Sequence, residues 1–76
     1  MSLEEKTRKI LNDFENTSSD QIVQTIIDIM SHFRSALTQE YLQGKIDQIA
    51  KTSDETEKKK LCKNLTPYLD WYLQGL

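Results

Sequence analysis

Turn-forming residues are scarce in this chain, which has two glycines and one proline in 76 residues. Sheets of this length reverse direction often and rely on such residues, so the scarcity argues against strands. A single cysteine, Cys62, excludes an internal disulfide and a thiolate-rich zinc site. No apolar run approaches the ~20 residues of a membrane span. Glu4 and Glu5 stand where a secretory leader would be basic and then apolar. Charge of one sign is not in large excess either: the net value is −2, which argues against a general affinity for nucleic acid or anionic membranes. These absences predict a cytoplasmic chain with no membrane contact and no cofactor.

What remains is helical material. Hydrophobic residues make up 37% and charged residues 29%, a balance that suits a folded globule. A chain this short encloses one core, so residues 1–76 are read as a single domain. Leu3, Thr7, Ile10, Leu11 and Phe14 recur on one helical face, and Ser2 with Glu5 fits a capping box. Glu4–Arg8 and Glu5–Lys9 pair at i,i+4 in the favourable order. Asn16-Thr17-Ser18-Ser19 ends this helix.

Ser18 or Ser19 caps the second helix, and Ser18 with Gln21 again has capping-box spacing. Ile22, Ile26, Ile29, Phe33 and Leu37 form one stripe, and Val23, Ile27 and Met30 form a second beside it. Gln21, Gln24, Thr25, Asp28, Ser31, His32 and Ser35 make the polar face. A continuous helix from Asp20 to Lys51 would be about 48 Å long, which is long for so small a domain. The apolar phase also shifts to Tyr41, Leu42, Ile46 and Ile49. The expectation is therefore a break near Leu37–Gln39, with Thr38 as a fresh cap. Lys51-Thr52-Ser53-Asp54 reads as a turn in which Thr52 or Ser53 caps the next segment. At Pro67 two outcomes stay open: a kink, or a short final helix capped by Thr66 with Pro67 at its first position. The fold class is thus all-α, a compact bundle of four or five short helices.

The candidate chemistry is thin. Asp28, His32 and Ser35 fall at i, i+4 and i+7, a Ser–His–Asp trio by composition. A convex helix face offers neither a cleft nor an oxyanion hole, so a solvated polar face is the better reading and no catalytic residue is assigned. One histidine and one cysteine thirty positions apart do not close a metal site. Lys58, Lys59, Lys60 and Lys63 form the one basic cluster, but Asp54, Glu55 and Glu57 offset it nearby. Asn16-Thr17-Ser18 and Asn64-Leu65-Thr66 match glycosylation sequons by chance, since no leader is expected.

The C-terminal segment is the most informative. Leu65, Leu69, Tyr72 and Leu76 suit one helical face, while Tyr68 and Trp71 project from another. Such aromatics are favoured at interfaces, although a central helix with both faces buried is the alternative. The expectation is a non-catalytic protein-interaction module that binds another protein or itself. Its surface is assigned to Tyr68, Trp71, Tyr72 and Leu76, with Val23, Ile27 and Met30 as a second patch. The alternative is a small regulator contacting nucleic acid through Lys58, Lys59, Lys60 and Lys63.

Overall fold

A computed structural model describes residues 2–75. Five α-helices follow in order: α1 (Leu3–Asn12), α2 (Ser19–Met30), α3 (Ala36–Lys51), α4 (Glu55–Lys63) and α5 (Thr66–Gln74). A 3-10 turn, Phe14–Asn16, lies between α1 and α2, and no strand occurs among the described residues. The all-α bundle expected from the sequence is therefore what the chain forms.

Local chemistry sets most of the helix starts. The Ser2 hydroxyl accepts the Glu5 N–H at 3.1 Å and donates to the Glu5 carboxylate, also at 3.1 Å. Ser18 accepts the Gln21 N–H at 3.2 Å, and Gln21 Oε1 accepts the Ser18 N–H in return, a complete capping box. Arg8 closes on Glu4 at 3.2 Å across one exposed turn.

Four boundaries differ from the sequence expectation. Helix α1 stops at Asn12, with Asp13 as its C-cap, and Phe14 lies in the 3-10 turn, so the helix ends before the Asn16-Thr17-Ser18-Ser19 run expected to stop it. The long helical pattern breaks at residues 31–35, earlier than Leu37–Gln39, and Ser35 caps α3 by accepting the Thr38 N–H at 3.3 Å. Thr38 thus supplies the donor, not the cap. The Gln39 amide donates to the Phe33 carbonyl at 2.6 Å, which anchors the connection to the first turn of α3. Asp54, not Thr52 or Ser53, caps α4 through the Glu57 N–H at 3.0 Å. At Pro67 the chain starts a new helix, with Thr66 as its first residue and Leu65 at the N-cap position without a side-chain cap. The Thr66 hydroxyl donates back to the Lys63 carbonyl at 2.8 Å instead.

The core comprises Ile10 of α1, Ile22, Ile26 and Ile29 of α2, Leu42, Ile46 and Ile49 of α3, Cys62 of α4, and Leu65 and Leu69 at and in α5. Helix α1 packs on α5 and α2, while α2 also packs on α4 and α3. Each fully buried Ile or Leu contributes roughly 1.5–3 kcal/mol through removal of apolar surface from water. Thr25, placed on the polar face by its sequence, is buried, as are Thr7 and Thr17. Each of these hydroxyls donates to the carbonyl four residues earlier, at 2.8–2.9 Å, so none loses its hydrogen bond on burial. Leu37 falls outside the α2 stripe because of the early break and is 78% exposed.

Candidate protein-interaction face

Helix α3 has two apolar sides. Leu42, Ile46 and Ile49 are buried in the core. Leu37 and Tyr41, at i,i+4, fall on the opposite side by helical spacing and are exposed. The Tyr68 ring of α5 lies 5.8 Å from that of Tyr41, with Trp71 edge-on to Tyr68 at 5.7 Å and Phe33 edge-on at 6.2 Å. These separations and angles are those at which aromatic quadrupoles attract. Tyr68 is half-buried at the centre of the cluster, whereas Trp71 remains 60% exposed.

An open groove runs along this cluster, lined by Tyr41, Asn64, Pro67, Tyr68, Asp70, Trp71 and Gln74. Its rim is polar. Lys45 holds its ammonium 5.5 Å from the Tyr41 ring centre, and Gln74 donates to the Asp70 carboxylate at 2.7 Å. A partly apolar groove with a polar rim can exclude water from an inserted apolar side chain.

The expected interaction residues divide. Tyr68 and Trp71 come together on this face. Tyr72 is half-buried, with its ring against that of His32 at 5.3 Å. Leu76 lies outside the described residues. In the second patch, Val23 and Met30 pack against the core and only Ile27 is exposed. Leu37, Tyr41 and Lys45 were not assigned from sequence. Their signal is the i, i+4, i+8 spacing on one side of α3, which can be read only once Ser35 is known to start that helix.

The basic cluster is partly engaged within the fold. Lys59 reaches back across the chain, donating to the carbonyls of Phe14 and Thr17 with its ammonium 4.4 Å from the Phe14 ring centre. Lys60 lies 3.4 Å from Glu57. Lys59, Lys60 and Lys63 share a groove with Glu15 and Glu55, so acidic groups sit within it.

Beside this groove the Glu55 carboxylate accepts the Ser19 hydroxyl at 2.7 Å and the Ser19 N–H at 3.0 Å. The Ser19 hydroxyl, then its N–H, hold the Glu55 carboxyl below its ordinary range, with Lys58 and Lys59 adding to the effect and desolvation opposing it. Burial, with the Glu55 charge adding to it, pushes the Cys62 thiol up to about 11, which makes it a poor nucleophile.

Asp28, His32 and Ser35 do not share one helix face, because α2 ends at Met30. Asp28 accepts from Gln24, and Ser35 caps α3. Among the described residues no group of three His, Cys, Asp or Glu side chains is placed to hold a metal ion, and no helix is long and apolar enough to cross a membrane. No known protein family, curated protein or solved structure matches the chain.

Proposed function

We propose that this chain is a non-catalytic protein-interaction module that binds through the face built from Leu37, Tyr41, Tyr68 and Trp71. One observation carries the reading: of the four large apolar side chains left exposed among the described residues, Tyr41 and Trp71 line one groove, and Leu37 shares the Tyr41 side of α3 by helical spacing. Large aromatics grouped around a half-buried anchor are the usual energetic centre of protein interfaces. The nucleic-acid alternative draws less support, because Lys59 is bonded to backbone carbonyls and Lys60 faces Glu57.

Photo-crosslinking in the cells that make the protein tests the reading. A crosslinker replacing Leu37 or Trp71 should trap discrete protein adducts, while one replacing exposed Arg8 or Asp20 should not. Equal, diffuse labelling from all four positions overturns the proposal.

A further inference from the structure

The groove beside α5 joins two chemistries. Tyr41, Tyr68 and Trp71 supply ring faces, and Asp70 is the only charged residue among the described residues that line it. The ring planes differ by 34° between Tyr41 and Tyr68 and by 80° between Tyr68 and Trp71, so their faces look in different directions. Each face carries the negative lobe of the ring quadrupole. Asp70 is exposed, and its Oδ2 accepts from Gln74. Among the described residues the ion pairs are Arg8–Glu4 and Lys60–Glu57, so no basic side chain neutralises Asp70. The lining therefore offers negative potential with no cation in it. Lys45, outside the lining, shows what such rings attract: its ammonium lies 5.5 Å from the Tyr41 ring centre, inside the ~6 Å reach of a cation–π contact.

We infer that this groove takes an arginine side chain presented by the partner protein, stacked on Trp71 and facing the Asp70 carboxylate. The inference rests on the interaction-module reading and names what the partner brings to it. Charge complementarity selects a cation. An apolar or proline-rich segment would gain from the rings but would strip water from Asp70 without replacing it. Shape then selects among cations. The groove is open and Trp71 is 60% exposed, so the rings do not enclose a compact ammonium. A planar guanidinium needs only one flat face to stack on, and its fork of donors matches a carboxylate. Gln74 steadies that carboxylate through Oδ2 and leaves Oδ1 to accept from the ligand. Lys45 competes for the Tyr41 ring, so its removal strengthens binding.

Proton–nitrogen NMR spectra of the labelled chain, titrated with blocked three-residue peptides, test this. Trp71 is the only tryptophan, so its indole signal identifies itself. Gly-Arg-Gly should shift the Trp71 indole and the Asp70 amide saturably. Gly-Lys-Gly should bind more weakly, and the citrulline peptide, which keeps arginine's shape without its charge, should not bind. Asp70→Asn keeps the size and the acceptor for Gln74. It should raise the dissociation constant for Gly-Arg-Gly about threefold or more, with helical circular dichroism retained. Lys45→Met should lower that constant about twofold, an effect of opposite sign. No saturable shift with the arginine peptide overturns the inference. So does equal binding of the citrulline or lysine peptide, or a dissociation constant unchanged in both variants. The cellular crosslinks from Trp71 are a separate readout. Discrete adducts alongside no arginine binding would leave the module reading standing and remove only the arginine.

Discussion

Glu55, the first residue of α4, caps the start of α2 from across the bundle, with its two oxygens 2.7 and 3.0 Å from the hydroxyl and amide of Ser19. Two helix N-termini, each carrying partial positive charge, meet at one carboxylate. The folded-state pKa of Glu55 lies below its unfolded value, so its stabilising effect is fully present above the ordinary glutamate range. It is lost as pH falls through the lowered value. Melting of wild type and Glu55→Gln between pH 7 and pH 2 should show the variant less stable at neutral pH, with the two curves converging in acid. A constant gap at all pH values would count against the charge and for a purely steric role.

Lys59 holds the 3-10 turn through the carbonyls of Phe14 and Thr17. Lys59→Met keeps the apolar stem and removes both bonds, at an expected cost of about 1.5–3 kcal/mol. Lys60→Met breaks only an exposed pair with Glu57 and should cost less than about 1 kcal/mol. Urea titrations of the two variants check the contrast, and equal losses would contradict it.

Trp71→Ala and Leu69→Ala should behave oppositely although they lie two positions apart. Leu69 is fully buried, so its truncation should cost about 2–5 kcal/mol of stability. Trp71 is 60% exposed and should cost below about 1 kcal/mol while weakening partner binding. Denaturant midpoints read beside arginine-peptide titrations separate the two effects.

Gly44→Ala, within α3, should raise the stability of the chain by about 0.5–1 kcal/mol, because the added methyl meets nothing and the unfolded chain loses freedom. Thermal melts check this. A lower melting temperature would show strain that the open surroundings of Gly44 do not suggest.

Cys62 should resist thiol reagents in the native protein. It is fully buried, and burial pushes its pKa up to about 11, so little of the reactive thiolate forms at pH 8. Labelling should therefore follow opening of the bundle and become immediate in denaturant. Fast native labelling would place α4 ajar.

Local signals were legible where one residue had one competent partner. Ser2 and Ser18 cap the helices that their spacing announced, and Ile22, Ile26 and Ile29 are buried as their periodicity required. The break before α3 was misplaced because Ser35 and Thr38 are both competent caps, and the Gln39–Phe33 bond lies outside any capping rule. That error carried Leu37 into the core and hid the side of α3 it shares with Tyr41. Thr25 looked polar but is masked by its own backbone bond to Gln21. On α5, spacing alone separated Trp71 from Leu65 and Leu69, and the structure leaves it in water.

Every side-chain hydrogen bond found among the described residues spans at most six positions, except those that Glu55 and Lys59 make to Phe14, Thr17 and Ser19. The exceptions join α4 to the connection between α1 and α2 and to the first residue of α2. Apolar burial is non-directional and by itself says little about which way a short helix runs. The polar join does discriminate: a reversed α4 would carry its first residue, Glu55, away from Ser19. A few polar bonds at one corner thus set the direction of α4, which its apolar side chains leave open.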